Sequence, residues 1–502
     1  MKKTLLCILA FCLCPAAFAA SVITARLDDP KAVYLEAPAG NGDSSTALQA
    51  AIDKAAAEFR GGIVFVPEGH YSLTHTIYVW PSVRLIGYGA NRPVFVLPAN
   101  TPGFQKGMGV MVMFTGMAPN SPFRSAGPVP FPPPGSVPPN DKAADANQNT
   151  FYSAMSNIDF EIGDGNPAAV AVRFHVAQHA FLTHMDFQLG SGLAGIYMVG
   201  NEAEDLHFYG GRYGILTEQT SPGWQFTLID SSFEGQREAA IREHAAGLTL
   251  IRDNFRNVPT AIDIDRGYPD QLWVKDSRFE NIAGPAVVIS LDHNPLTEIG
   301  FENATLSNAP VFAKLRESGR IVAGKGAIYR VKNFDYGLMV PGEGRSGSIG
   351  MKYDAVPLAA MPAILPPAIP ALPASSEWVN VRTLGVKGDG TTDDTAALQR
   401  AIDTHRVLYL PSGRYVISDT LALKADTVLI GLHPILSQID LPDQTPGYQG
   451  VGAPKAMILA PTGAADTLSG IGMLAGALNL RAVPVLWKAG EQSLIDDVRF
   501  LG

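Results

Sequence analysis

A phenylalanine recurs every 21 to 25 residues through the middle of this chain, and each one closes a short apolar run. The series is Phe187, Phe208, Phe233, Phe255, Phe279 and Phe301. A second apolar run follows in most repeats, with no helical pattern between the two. Short β runs at this period are typical of a parallel β-solenoid, because each coil buries its apolar face only against its neighbours. The sequence therefore predicts stacked coils about 4.8 Å apart, with phenylalanine over phenylalanine.

A second, longer repeat shows that the fold occurs twice. Residues 42–103 return in degenerate form at residues 388–447, and the offset stays at 344 residues, so that Val66 corresponds to Leu410. Both copies begin with Ser, Thr or Asp followed by helical spacing, which predicts a helix that closes the open end of each solenoid. The predicted fold is all-β: a right-handed parallel β-helix in two tandem copies, the second incomplete at the C-terminus.

Compositional shifts divide the chain into four segments. Lys2 and Lys3 precede an apolar run and the small-residue signal Ala17-Phe18-Ala19, which is typical of a secretory signal peptide. The remaining boundaries follow from the repeats and from two proline-rich stretches. We predict a signal peptide at 1–20, a first β-helix domain at 21–355 with a proline-rich loop at 118–140, a proline-rich linker at 356–376, and the start of a second β-helix domain at 377–502.

The C-terminal residues 486–502 can be aligned with residues 174–190, which lie in an early coil of the first solenoid. The first solenoid continues for five or more coils beyond that point. We therefore expect the sequence to be a fragment of a longer protein. The signal peptide predicts a secreted or periplasmic product, and no other stretch is apolar and long enough to span a bilayer.

Composition excludes several function classes. All three cysteines lie in the predicted leader, so the mature chain has no thiol nucleophile and no thiolate metal site. The chain carries 38 Lys and Arg against 47 Asp and Glu, a net charge of −9, without basic runs. An acidic chain of this kind is a poor candidate for nucleic acid binding. We expect a neutral polysaccharide as partner, no cofactor, no metal, no membrane association and a monomeric state.

One run of residues at the start of the second copy resembles the entry signature of the pectate-lyase-type (rhamnogalacturonase/epimerase-like) β-helix superfamily. The run comprises Gly-Asp-Gly at 388–390, Asp-Asp at 393–394, Ala-Leu-Gln at 397–399 and Leu-Pro-Ser-Gly-Arg-Tyr at 410–415. Two tandem copies joined by a linker are similar to the double β-helix of glycoside hydrolase family 55, the β-1,3-glucanases. The closest local similarity is at residues 170–187 and 205–215.

That resemblance implies a sugar site between the two solenoids and an inverting mechanism. It implies that a glutamic acid of the second solenoid protonates the leaving oxygen, while groups of the first solenoid position the water. Inverting carboxyl pairs stand roughly 6.5–9.5 Å apart to leave room for that water. The implied glutamate would lie in coils absent from this sequence, so we expect the general acid to lie outside residues 1–502.

The catalytic candidates lie in the first solenoid. The resemblance suggests that Gln178 positions water, and the flanking His175 and His179 could bind sugar hydroxyls. Glu202 and Asp205 belong to an acidic group on a predicted turn and could supply a base or a sugar contact. For each of these residues the alternative is a purely structural or solvent-facing role.

The substrate-binding candidates are aromatic and charged residues of later coils. Tyr213 and Trp224 could stack on sugar rings, because aromatic faces pack against apolar surfaces. Asp265 and Arg266 belong to the densest charged group of the first solenoid, which could perform acid/base work or hold calcium in a lyase. The alternative is an Asp–Arg ion pair that closes a turn.

These observations support one leading hypothesis for function and leave two others open. The leading hypothesis is a secreted polysaccharide-degrading enzyme, a glycoside hydrolase that acts on β-glucan by inversion without a cofactor. The first alternative is a polysaccharide lyase acting on acidic glycans. The second is a non-catalytic carbohydrate-binding or structural β-helix.

Overall fold

The computed structural model describes residues 20–38, 40, 42–59, 61–116, 150–218, 225–364, 367 and 369–502. Residues 1–19 of the predicted signal peptide, the predicted proline-rich loop 118–140 and Trp224 lie outside the described residues. No helix in the described ranges is long and apolar enough to cross a membrane.

The first β-helix is right-handed and has three faces, here called A, B and C. Face A contains Ala32–Tyr34, Gly62–Pro67, Val83–Tyr88, Ala154–Ser156, Phe226–Ile229, Leu248–Ile251 and Gln271–Lys275. Face B contains His70–Ser72, Val94–Leu97, Asp159–Ile162, Ser232–Glu234, Asn254–Arg256 and Arg278–Glu280. Three longer strands run through both faces: Phe181–Gln188, Asn201–Tyr209 and Glu298–Ser307.

Face C is a separate ten-stranded sheet. It contains Ile77–Val79, Gly109–Phe114, Ala169–Arg173, Ala194–Tyr197, Tyr213–Leu216, Ala239–Glu243, Ile262–Ile264, Pro285–Ile289, Val311–Leu315 and Ile321–Ala323. Antiparallel strands Ile328–Met339 and Ser348–Pro357 complete the far end of the first β-helix against Glu298–Ser307. All other pairings named so far are parallel apart from the last pair of face C, so each coil contributes one rung to each face.

The core confirms the predicted phenylalanine stack along face B, with one correction. Rings from Phe160 to Phe279 lie 4.7–5.4 Å apart between centroids and within 12° of parallel. The spacing also predicted Phe301 in this series, and that prediction is wrong. Phe301 pairs with Val274 on face A, and Leu306 takes the place next to Phe279. The coil from Phe279 to Leu306 spans 27 residues, against 21 to 25 in the four coils before it, and this extra length carries Phe301 onto the neighbouring face.

A single residue in the left-handed backbone region bends each coil from face A to face B. The corner residues include His184, Asp205, Asp230, Arg252 and Asp276, with φ between 52° and 58°. Short polar side chains such as Asp tolerate this conformation better than apolar ones. The corner shifts the inward and outward alternation by one residue, so strands on both sides of it present apolar side chains to one core.

Two α-helices pack on the starts of the two β-helices, Ser45–Phe59 and Thr395–Thr404. Leu48 and Ile52 of the first helix belong to the core of the first β-helix. Leu398 and Ile402 occupy the equivalent places in the second core. Three short 3₁₀ helices, Ser375–Glu377, Val381–Leu384 and Pro446–Tyr448, lie in the second half of the chain.

The second β-helix has the same three-sided plan over fewer coils, and we call its faces D, E and F. Face D contains Val379–Asn380, Val407–Tyr409, Val428–Ile430, Thr467–Ser469 and Leu494–Asp496. Face E contains Asp389–Asp393, Gly413–Val416, Ser437–Asp440, Gly472–Leu474 and Arg499–Leu501. Face F contains Leu421–Ala422, Lys455–Ala460 and Ala482–Trp487.

Face D of the second β-helix packs on face A of the first. Ile63, Phe65 and Ile86 point outward from face A and form a buried apolar cluster with Tyr409. The Tyr409 hydroxyl donates to Asp29 Oδ2 at 2.9 Å, which fixes the contact at a buried polar point. Beyond this apolar cluster the two faces are not in full contact, and a cleft lies between the two β-helices.

Candidate functional site

The cleft between the two β-helices has a volume of about 480 Å³ and three walls. Face A provides one wall, face D and the residues after it provide the second, and the proline-rich linker provides the third. The charged lining residues are Arg84, His184, Glu202, Glu204, Asp205, Asp230, Asp496 and Asp497. From the linker, Pro367 and residues 369–373 contribute an apolar side.

Strand alternation and register explain why these side chains meet. Arg84, Phe181 and Glu202 occupy one outward column of face A, and Ser156, Thr183 and Glu204 occupy the next. Between the two columns lie buried residues such as Leu182 and Ala203, which face the core. On face D, the column Ile430, Ser469 and Asp496 faces outward in the same way. The column from Ile86 to Glu204 on face A and the column from Ile430 to Asp496 on face D both change from apolar to polar as the coils advance, and the cleft opens at that change.

A buried ion pair links the two walls at the base of the cleft. The Arg84 guanidinium donates two hydrogen bonds to the Asp497 carboxylate, at 2.5 and 3.1 Å, and both side chains are almost fully buried. Arg84 also donates to the Leu432 carbonyl at 3.0 Å and lies over the Phe181 ring. Burial raises the pKa of Asp497, although Arg84 opposes that effect. Arg84 is therefore fully engaged in holding the second β-helix.

Glu202, a residue of the cleft, has a pKa well above that of an ordinary glutamic acid. Its side chain faces the open space, yet the surrounding protein replaces bulk water and Asp496, Asp497 and Glu204 add negative charge. Loss of water contributes most, and together these effects raise the pKa of Glu202 to about 7. Burial, followed by the neighbouring carboxylate of Asp497, also raises the pKa of Asp496. Such a pKa keeps a proton on Glu202 over much of the neutral range.

Asp205, three residues along the same strand, has the opposite behaviour. It accepts hydrogen bonds from His184 Nδ1 at 2.8 Å and His207 Nε2 at 2.9 Å. Burial would raise the pKa of Asp205, but these two hydrogen bonds outweigh burial and hold the pKa well below its usual range. Asp205 is therefore a fixed anion that orients His184 on the cleft wall. The structure also places Glu202, Glu204 and Asp205 in a strand, so their prediction as a turn is wrong.

The three residues predicted around Gln178 lie at the corner between faces C and A. Gln178 does not line the cleft; its carbonyl accepts from the Tyr152 amide, and its buried Oε1 has no hydrogen-bond partner among the described residues. His179 stacks on the Tyr152 ring at 4.8 Å, with Nδ1 4.0 Å from Asp497. Burial and the nearby Arg84 lower the pKa of His179. His175 is buried.

Tyr213 and Asp265 form a second group on the outer side of face C. Arg242 joins them, donating to Asp265 Oδ1 at 2.6 Å and to the Tyr213 hydroxyl at 2.7 Å. His244 also contacts Asp265 at 3.3 Å, and hydrogen bonds to Asp265 and Glu218 raise the pKa of His244 to about 9. Arg266 is exposed and takes no part in this network. The ion pair expected at Asp265 therefore forms with Arg242 of the preceding coil.

Sequence reasoning missed five charged residues of the cleft: Arg84, His184, Asp230, Asp496 and Asp497. A signal was present for Arg84, since a single arginine interrupts the apolar strand Val83–Tyr88. Asp496 and Asp497 follow the short apolar run Leu494-Ile495, which indicates a strand but not the wall that these carboxyls face. Within the described ranges, no group of three or more His, Cys, Asp or Glu side chains is arranged to hold a metal ion.

One family model and several known proteins are similar to parts of this chain. A family model described as rhamnogalacturonase A/epimerase, pectate lyase-like, matches residues 37–263 and 378–458. The non-secreted LysM effector LysM19 of Penicillium expansum is 24% identical over 322 residues, which are 57% of this chain and 25% of that protein. The matched regions thus span about a quarter of the length of such fungal relatives.

Two further similarities are more local or more distant. Alginate lyase 7 of Azotobacter vinelandii is 42% identical over 64 residues, 10% of this chain and 8% of that protein. Among solved structures, the tailspike protein of Escherichia coli bacteriophage HK620 is 12% identical with a TM-score of 0.36. That superposition covers 92% of this chain and 64% of the tailspike chain.

Proposed function

Because this chain belongs to the rhamnogalacturonase A/epimerase, pectate lyase-like family, we propose that it is a polysaccharide-acting enzyme whose cleft between the two β-helices hydrolyses a glycosidic bond. The observation that carries the proposal is Glu202, whose raised pKa of about 7 keeps a proton available in an open cleft. A general acid works best when its pKa lies near the operating pH.

The proposed reaction uses one carboxyl from each wall. In this proposal Glu202 replaces the general acid that the resemblance implied outside residues 1–502. It donates its proton to the leaving oxygen as the bond from that oxygen to the anomeric carbon breaks. Asp496, on face D, accepts a proton from the water that attacks the same carbon from the opposite side. Solvent exchange then restores the proton on Glu202 and removes it from Asp496. Two carboxyls with a water between them are the arrangement that an inverting glycosidase requires.

The charge of the cleft favours a neutral sugar. Six carboxyl residues line it, against two residues that can carry positive charge, Arg84 and His184. Arg84 is already neutralised by Asp497. A uronic acid unit would meet net repulsion here, and a lyase would lack a free arginine or lysine among the described lining residues. One relative is named an alginate lyase, but its match covers only 10% of this chain. We therefore favour a neutral β-glucan over an acidic glycan.

The test is the action of the full chain on laminarin, a β-1,3-glucan. We expect new reducing ends without unsaturated sugars, and an inverted anomeric configuration in the first product seen by NMR. Glu202→Gln and Asp496→Asn should each lower kcat about 10²–10⁴-fold, the usual range for loss of acid–base catalysis.

Glu161→Gln is the matched control, because Glu161 is an exposed carboxyl on face B. Unsaturated products would instead support a lyase, and retention on the glucan without products would support a binding role. A Glu202→Gln variant with the activity of the unmodified chain would remove the proposed acid.

A further inference from the structure

One tryptophan on face A is exposed although its strand neighbours are buried. Trp273 is 41% exposed, whereas Leu272 and Val274 on either side of it point into the core. The other described tryptophans are less accessible: Trp80 is buried, and Trp378 and Trp487 are partly buried. A large exposed indole on a regular sheet face gains little from core packing and presents a flat apolar ring on which a ligand can stack.

The register of face A places Trp273 in the same outward column as Glu202. The column runs from Glu202 through Thr227 and Thr249 to Trp273, one residue per coil. At about 4.8 Å per coil, Trp273 stands roughly 14 Å from the position of Glu202 along the β-helix axis. The cleft lining already includes Ile229 and Asp230, which belong to the coil after that of Glu202. The cleft therefore opens in the direction of Trp273.

The surface between the two residues is partly polar. Thr227 and Thr249 are half-exposed and offer hydroxyl groups that both donate and accept hydrogen bonds. In the adjacent column, Ile229 and Ile251 are also half-exposed. An extended chain with alternating apolar and hydroxyl-bearing edges fits such a track.

Neighbouring residues hold the indole of Trp273 in place. A Cβ at residue 300 in the next coil would lie 3.0 Å from Trp273 Cδ1, so Gly300 leaves the space that the ring needs. Lys275 Nζ lies 5.7 Å from the ring centroid and is tied to Glu302 at 2.6 Å. A ring fixed in this way loses little entropy when a ligand stacks on it.

We propose that Trp273 is a stacking platform for a neutral polysaccharide chain that lies along face A, parallel to the β-helix axis, and enters the cleft at Glu202. This inference rests on the proposed function, which places the reacting end of the polysaccharide at Glu202. The apolar face of a sugar ring packs on the indole, while Thr227 and Thr249 contact hydroxyl groups of the intervening units. A disaccharide bound at Glu202 is too short to reach the platform.

The experiment measures the binding of laminari-oligosaccharides to the full chain, by calorimetry and by tryptophan fluorescence. Trp273→Ala should weaken hexasaccharide binding about tenfold, as the loss of one good aromatic contact does, and leave disaccharide binding unchanged. Trp273→Phe, which keeps a ring, should fall between the two. Tyr268→Ala is the matched control, because Tyr268 is a similarly exposed aromatic residue (42%) near face C.

The outcomes separate this inference from the proposed function. Unchanged hexasaccharide binding by Trp273→Ala, or equal weakening for both sugars, would overturn the platform even if Glu202→Gln abolishes hydrolysis. Length-dependent binding through Trp273 without hydrolysis of any glucan would support the platform and overturn the proposed catalysis. No binding of either sugar by the unmodified chain would overturn the platform for this ligand class.

Discussion

Glu202 and Asp205 show how completely position decides the behaviour of a carboxyl. Both belong to the strand Asn201–Tyr209, yet the pKa of Glu202 is raised to about 7 and that of Asp205 is held well below its usual range. Glu202 faces carboxylates of the second β-helix, whereas Asp205 lies at a corner between two histidines. When the surroundings move the pKa values of two carboxyls apart, one can serve as an acid while the other stays ionised.

The charge of Glu204 provides a test of this electrostatic account. Glu204 is one of the negative neighbours that raise the pKa of Glu202, so Glu204→Gln should lower that pKa. The acid form of Glu202 would then be lost at a lower pH. We expect the alkaline limb of the kcat/KM profile on laminarin, near pH 7 for the unmodified chain, to move to lower pH while activity in the acid range persists.

Glu161→Gln again serves as the control for a change of net charge far from the cleft. Its profile should match that of the unmodified chain. An alkaline limb that stays in place or moves upward in Glu204→Gln would contradict the assignment of that limb to Glu202.

At the scale of elements, the sequence predicted the strands and their stacking but not the corners. Apolar runs with a regular period identify which residues face the core, and the Phe160–Phe279 stack follows from that pattern. The corner residues differ in chemistry, from His184 to Arg252, and share only a backbone conformation. A conformation shared by unlike side chains leaves no pattern in one sequence. Phe301 was misplaced for a related reason, because spacing alone does not reveal an extra length of coil.

The phenylalanine stack should make each ring costly to remove. Phe233 is fully buried and lies 4.8 and 5.0 Å from the rings of Phe208 and Phe255. Phe233→Ala would remove both contacts and leave a cavity that adjacent coils cannot close. We expect the free energy of unfolding, measured in urea, to fall by about 3–5 kcal/mol.

Tyr268→Ala is a suitable comparison, since it removes an aromatic side chain that is 42% exposed. Because Tyr268 makes one stacking contact, with the His244 ring at 4.0 Å, the effect on unfolding should stay within about 1.5 kcal/mol. If Phe233→Ala cost no more than Tyr268→Ala, the stack would not be a main source of stability.

At the scale of the whole molecule, the cleft exists because face D docks on face A. The sequence singled out Glu202 and Asp205, and the resemblance implied a site between two solenoids. Neither the sequence nor the resemblance revealed that Arg84, Asp496 and Asp497 line the cleft. Their positions there depend on which outward columns of the two β-helices meet. That pairing joins residues more than 400 positions apart, as in the Arg84–Asp497 contact. The alternation of apolar and polar residues within one strand does not indicate which distant strand its outward residues contact.

The Arg84–Asp497 pair therefore tests the docking itself. Arg84→Met would keep a long side chain on face A but leave a buried carboxylate without its partner. Breaking a buried pair from one side costs about 3–5 kcal/mol, whereas replacing both charges by neutral groups is often tolerated. We expect Arg84→Met to lower the free energy of unfolding in urea by that amount, and a second change, Asp497→Asn, to restore most of it.

Arg26→Met is the matched control, since Arg26 forms an exposed pair with Asp28. That change should have little effect. If Arg84→Met unfolded like Arg26→Met, the ion pair would not hold face D on face A. If the double change were as unstable as Arg84→Met alone, the cost would come from lost packing of the arginine side chain and not from the stranded charge. Recovery of stability in the double variant would show that the Arg84–Asp497 ion pair holds face D on face A at the base of the cleft. That base lies beside the carboxyl groups on which the proposed chemistry depends.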